Sequence, residues 1–251
     1  MLDLAVQHLL SPANPLIKRL VHLHDARGRR EQGLFLVEGR RAIDECLTAG
    51  LTPAHLLVRD DCPPVASWPA ATLVSARAME RLSQASSPSG FLAAFAIPSA
   101  PALRPDEGGL ILAAVADPGN LGTLLRTAAA LGIRQAVLIG TADPWGPKSV
   151  QSSAGAMARV AIHTPELPAA LQALAGATPL CALLPRGGLA PDELVPRARW
   201  LVVGGEAHGI PPELLTQCRE QVTLPMPGGT ESLNAAIAGA IACYLLMRAR
   251  P

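Results

Sequence analysis

The stretch that decides the fold is GLILAAVADPGNLGTLLRTAAALGIRQAVLIG, Gly109 to Gly140. GLILAAVAD is a continuous apolar run and reads as a strand ending at Asp117. Pro118-Gly119 makes the turn, and Asn120 stands where it can cap a helix. NLGTLLRTAAALG then reads as a helix stopped by Gly132. QAVLIG is a second apolar strand. A strand with no polar alternation has no solvent face, and two such strands joined through a helix run parallel. The stretch therefore predicts a largely parallel sheet covered on both faces.

The pattern continues downstream. Lys148 to Met157 reads as a helix capped near Ser149, and RVAIHT as a strand. PELPAALQALAG is a helix and PLCALLP a strand. WLVVGGE is a strand ending at Glu206, and PPELLTQCR a helix with Pro in its first turn. QVTLPMP is a strand, and the last helix is expected from Ser232 to Arg248. Upstream, the proline-rich AIPSAPALRPDEGG reads as a linker. Before it lies a smaller α/β module. LFLVEG, AHLLVR, ATLVS and FLAAFAI are its strands. RRAIDECLTAG is a helix with a Gly stop, and SARAMERLSQA a helix capped by Ser75. The expected division is residues 1–97, a linker over 98–109, and residues 110–251.

Composition narrows the class. Apolar residues make up 49% of the 251 and charged residues 16%, a globular balance. The net charge is +1, so any nucleic-acid surface has to be local. The segment from Asn14 to Arg41 supplies one. It holds Lys18, Arg19, Arg27, Arg29, Arg30, Arg40 and Arg41 against Asp25, Glu31 and Glu38. A solvated helix face is the competing reading of that charge. The five cysteines are scattered without metal-ligand spacing, so no metal is expected and a reducing cytoplasm fits. No signal-peptide pattern opens the chain. The apolar segment from Leu233 to Met247 is short for a bilayer span, so no membrane is expected.

Three polar clusters fall at strand ends, where open parallel sheets bind ligands. The first holds Asp117, Asn120 and Arg126. Its spacing is not that of a dinucleotide fingerprint. The second is WLVVGGEAHGIPPELL. Gly204-Gly205 allows close approach to backbone, and Glu206 can orient a substrate group. The third is PGGTESLNAAIAGAIACYLL, Pro227 to Leu246. Ser232 or Thr230 can cap its helix, with Asn234 in the first turn. Glu231, Ser232 and Asn234 together exceed what a cap requires.

These clusters carry a resemblance. N-L-G-x-x-x-R, L-V-V-G-G-E-x-x-G and L-P-M-P-G-x-x-E-S-L-N-x-x-x-A resemble, in order, the three motifs of the SpoU (TrmH-type) RNA 2′-O-ribose methyltransferases. KSVQSSAGAMARV, Lys148 to Val160, is similar to a further segment of that family. The N-terminal module resembles the family's L30e-type RNA substrate-binding domain. The resemblance implies an α/β trefoil-knot (SPOUT) catalytic domain with a parallel sheet, binding S-adenosylmethionine and acting as a homodimer. It implies methyl transfer to a ribose 2′-hydroxyl of RNA, with ribosomal RNA favoured over transfer RNA. A catalytically silent RNA-binding or ribosome-assembly factor is the alternative. By motif, Asn120, Arg126, Glu206, Ser232 and Asn234 form the catalytic group. Gly204, Gly205, Leu224 and Leu233 line the cofactor pocket with Leu183 and Leu184. The basic residues from Lys18 to Arg41 meet RNA.

Overall fold

The computed structural model describes residues 8–9, 11–68, 70–176, 178–230 and 232–247. In chain order the elements begin with β1 (His8–Leu9), α1 (Pro15–Val21), α2 (Ala26–Gln32), β2 (Leu34–Glu38) and α3 (Arg40–Thr48). Then come β3 (Pro53–Arg59), β4 (Thr72–Val74), α4 (Ala76–Leu82) and β5 (Phe91–Ala96). After them follow β6 (Gly109–Ala113), α5 (Pro118–Ala130), β7 (Gln135–Ile139), α6 (Pro147–Ser153) and β8 (Ala161–His163). The chain continues with α7 (Leu167–Ala173), β9 (Leu180–Leu183), β10 (Trp200–Gly204), α8 (Pro212–Leu215), β11 (Glu220–Val222) and α9 (Ala235–Leu246). They pack as two compact units. The first ends at Pro98 but also takes Trp145–Ala158; the second holds Ser99–Pro144 and the chain from Arg159.

In the first unit five strands form a mixed sheet in the order β1-β4-β3-β5-β2. β3 and β4 run parallel, while β5 is antiparallel to both β3 and β2. Ile17 and Leu20 of α1, and Ala78, Met79 and Leu82 of α4, bury against Leu36, Leu57, Leu92 and Ala94 of the sheet. Asn14 caps α1, its Oδ1 accepting from the Leu16 N–H at 2.8 Å. Ser75 caps α4 as the sequence predicts. α6 belongs to this unit. It is shorter than expected, stops at Ala154 in a left-handed turn, and has Gly146 at its N-cap. Ser149 is fully buried inside it and does not cap it.

The second unit is a six-stranded sheet in the order β11-β9-β10-β6-β7-β8, with every pairing parallel. Both faces are covered. Ile111, Ala113, Val137 and Val202 pack with Ala170 and Leu174 beside α7. On the opposite face Val203 meets α9 at Gly239. A Cβ on Gly239 would come within 2.5 Å of Leu124 Cδ2 on α5, so glycine here lets α9 lie close to α5. The residues expected to form a linker are held in place. The Gln135 side chain donates to the Arg104 and Gly108 carbonyls at 2.7 and 2.6 Å, and the Trp200 indole donates to the Pro105 carbonyl at 2.9 Å.

Other boundaries also differ from the sequence reading. β6 ends at Ala113, not Asp117, because Ala114 takes a left-handed conformation (φ 57°) that no strand continues. α9 begins at Ala235; its predicted end at Arg248 lies outside the described residues.

Burial controls the thiols. It pushes Cys46, Cys181 and Cys243 up to about 12 and Cys218 up to about 11, from an ordinary 9.0. In the native protein at pH 8, Ellman's reagent should label partly exposed Cys62 first, with the other four released only by denaturant. Because these folded values are raised, the thiols keep their protons until well above the unfolded value. Their share of stability is intact below pH 9.0 and is lost as pH rises toward 12. Unfolding titrations between pH 8 and 11 should show that decline, and a Cys243→Ser variant should lessen it.

Candidate active site

β6 pairs with β7 on one side and with β10 on the other. The chain winds outward from β6 through β7 to β8, then returns to build the other half of the sheet. Such a reversal opens a crevice beyond the carboxyl ends of the central strands. The three polar clusters meet there.

α5 starts at Pro118, whose missing N–H costs nothing at that position. Its cap is Asp117, whose Oδ1 accepts from the Asn120 N–H at 2.8 Å. Asn120 is therefore not the cap, and its side chain is free for other work. Its Nδ2 donates to Glu206 Oε1, just beyond β10. Its Oδ1 accepts from Asn234 Nδ2 at 3.2 Å. Asn234, and neither Ser232 nor Thr230, caps α9. Its Oδ1 accepts from the N–H groups of Ala236 and Ile237 at 2.9 and 3.2 Å. The carboxylate settles the direction of the chain. Glu206 Oε1 accepts, so Asn120 turns its NH₂ toward it and its oxygen toward Asn234. Asn234 then has only its oxygen left for the helix.

Beside this chain of amides lies a cleft of about 330 Å³, within the range of small-molecule sites. Leu183 and Leu184 come from the end of β9, Gly204 and Gly205 from β10, Leu224 from beyond β11 and Leu233 from the approach to α9. All six expected lining residues are present, and Glu206 and Ser232 stand at the same cleft. The glycines are required by close packing. A Cβ on Gly205 would sit 1.9 Å from the Ala114 oxygen, and one on Gly204 would sit 2.4 Å from the Gly209 carbonyl carbon. Gly209 folds back in a left-handed conformation (φ 66°), its N–H donating to the Gly205 carbonyl at 2.9 Å. Pro185, Ile210, Met226, Ala235 and Ala238 also line the cleft and were not predicted. Most of them adjoin the motifs, and that adjacency was the available signal.

Ser232 is exposed and has no hydrogen-bond partner among the described residues. Arg126 lies on the exposed side of α5, likewise without an ion pair among the described residues. Glu231, expected beside Ser232, lies outside the described residues.

The basic residues of the first unit separate into two kinds. Lys18, Arg19, Arg27, Arg30, Arg40 and Arg41 are exposed. Arg27 pairs with Glu31 at 2.7 Å, Arg40 approaches Asp44 at 3.9 Å, and Arg19 shares a hydrogen bond with the His55 ring at 3.2 Å. Burial, and then Arg19, lower the His55 pKa. Arg29 departs from the expectation. It is buried, and its guanidinium donates to the Leu23 and His24 carbonyls at 2.7 and 2.8 Å, closing the turn between α1 and α2. Charge counting along a sequence does not separate such an anchor from a surface arginine.

Comparison with known proteins gives the family. Residues 109–244 match the SpoU rRNA methylase family, and residues 14–93 match an MRM3-like substrate-binding domain. The chain belongs to the SpoU rRNA methylase family. It is 30% identical to an uncharacterised tRNA/rRNA methyltransferase of Synechocystis, covering 95% of this chain and 93% of the relative. It is 29% identical to the 23S rRNA guanosine-2′-O-methyltransferase of Bacillus subtilis, over 96% of this chain and 99% of the relative. An AdoMet-bound rRNA methyltransferase from Sinorhizobium meliloti superposes with a TM-score of 0.84 at 25% identity, over 95% of this chain and 96% of that one.

Asn234 allows capping and site geometry to be separated. Asn234→Ala removes the cap and should cost about 1 kcal/mol of unfolding free energy. Asn234→Asp keeps the capping oxygen but loses the donor to Asn120, so it should unfold near wild type. Urea titrations of the two variants check this.

Proposed function

We propose that this protein transfers a methyl group from S-adenosylmethionine to a ribose 2′-hydroxyl of ribosomal RNA. The observation that carries the reading is the cleft at the strand reversal, with Glu206 and Ser232 at its edge and the Asn120–Asn234 pair beside it. The residues present fit the cofactor. Leu183, Leu184, Leu224 and Leu233 supply an apolar lining, and the tight Gly204–Gly209 turn brings backbone to the ligand without side chains in the way. When bound, the cofactor supplies an electrophilic methyl on a sulfonium.

In the overall transfer the new O–C bond forms as the C–S bond breaks, and the hydroxyl proton is released. This chain has to orient the hydroxyl and stabilise the charge that develops on its oxygen. Ser232 and Asn234 stand at the entrance of α9 to orient the ribose. Glu206 commits one carboxylate oxygen to Asn120 and keeps the other for substrate. Arg126 is essentially always charged, which suits it to hold a phosphate and offset alkoxide charge. The named activities of the Bacillus subtilis and Sinorhizobium meliloti relatives support ribosomal RNA over transfer RNA.

In this reading residues 1–97 form the RNA-binding domain, 98–109 the connection, and 110–251 the catalytic domain with the family's knot. The exposed Lys18, Arg19, Arg27, Arg30, Arg40 and Arg41 face RNA phosphates, and Arg29 does not. Among the described residues no helix is long and apolar enough to cross a membrane, and a cytoplasmic place suits an enzyme of ribosomal RNA.

The protein is a homodimer through α9 in this reading. Ile237, Ile241, Tyr244 and Leu245 form an apolar stripe 39–52% exposed, spaced as one helix face. The small residues of α9 do not make that face, since Gly239 is used against Leu124 and Val203.

Two measurements test these points. Arg126→Ala should lose methyl transfer to RNA, by about 10²-fold or more, with an unchanged circular dichroism spectrum. Undiminished turnover in that variant would overturn the catalytic assignment. Ile237→Glu should convert a dimer to monomer in sedimentation equilibrium, and a wild-type monomer would remove the dimer.

A further inference from the structure

The first unit holds a second cavity, of about 820 Å³, that the catalytic reading does not use. Its walls are the end of β2, the start of α3, the segment between α4 and β5, and one side of α6. The apolar part of its lining comes from Leu36, Phe91 and Leu92 with Pro147 and Val150. The rim is cationic. Arg40 and Arg41 come from α3, and Lys148 from α6, more than a hundred residues away in sequence. All three are exposed.

The acid of the cavity does not oppose that charge. Glu38 accepts from the Ser83 hydroxyl at 2.7 and 2.8 Å and from the Ser89 N–H at 3.2 Å. Its carboxylate fixes the segment after α4 as a wall. His24 is also occupied. The Leu82 carbonyl can only accept, so His24 carries a proton on Nε2 and donates it at 2.9 Å. The first turn of α3 contains no acid, and Gly39 offers no capping side chain. The helix start, Arg40 and Arg41 thus favour an anion at the same edge.

We propose that this groove takes an unpaired RNA nucleotide, with its base against the apolar lining and its phosphate between Arg41 and Lys148. An apolar lining with a cationic rim matches a nucleotide, which presents a flat base and a charged phosphate. A duplex keeps its bases stacked inside, so the groove selects single-stranded loops or bulges. This rests on RNA being the substrate and adds how a particular RNA is picked out.

The test is binding of a fluorescein-labelled single-stranded RNA and of its duplex, by anisotropy across a salt series, to the full chain. Arg41→Ala and Lys148→Ala should each lower the single-strand salt slope by about 0.7. Ala85→Leu, an exposed wall position, should obstruct the groove and weaken single-strand binding by about tenfold without changing that slope. Duplex binding should change less in all three, and S-adenosylmethionine affinity by calorimetry should stay at the wild-type value. If Ala85→Leu binds like wild type, or duplex and single strand weaken equally, the charge is a surface field and the groove proposal fails. If the unaltered protein binds neither RNA, the RNA reading itself fails.

Discussion

The side-chain amide of Asn234 joins two requirements that would otherwise be independent. Its oxygen closes the N-terminus of α9, and its nitrogen holds Asn120, 114 residues earlier in the chain. The cap stabilises a helix, while the bond to Asn120 fixes a side chain at the crevice. Because both ends of one planar amide are committed, the register of α9 against α5 also sets the geometry at the crevice. Glu206 completes the constraint, since its Oε1 accepts from the Asn120 NH₂. The site is thus a chain of three side chains from three segments, each anchored where an element begins or ends.

The close packing around it serves the same end. Gly239 brings α9 against α5, and Gly204 and Gly205 let the chain beyond β10 fold tightly over the end of β6. A Cβ at Gly204 or Gly205 would meet backbone, and one at Gly239 would meet the Leu124 side chain. The glycines therefore act on chemistry indirectly, by allowing polar groups from separate elements to reach hydrogen-bond distance. The cleft beside them gains its shape from the same approach.

The two units use charge differently. In the second, the amides at the crevice bond to each other and to Glu206, while Arg126 stands exposed on α5. In the first, exposed cations stand around an apolar lining, while Arg29 and Glu38 serve the backbone and the wall segment. A positive residue in the sequence is therefore a candidate for RNA only after its burial is known. Arg29 and Arg30 are neighbours in the chain, yet one closes a turn and the other faces solvent.

Much was legible in the amino-acid sequence alone. Unbroken apolar runs between helices specified a parallel sheet, because strands without a polar face have to be covered on both sides. The ordered motifs named the family and the residues at the strand ends. Local pattern was weakest at caps and boundaries. Asp117 reads as the end of a strand yet caps α5, and Ser232 or Thr230 reads as the cap that Asn234 supplies to α9. The choice depended on what lay across the crevice, which no local window contains. Only the tertiary structure decided that Asn234 is the cap, that Ser149 is buried, and that α6 leaves the second unit to wall a groove in the first. Those outcomes follow from hydrogen bonds and contacts between residues distant in sequence, and sequence spacing carries no record of them.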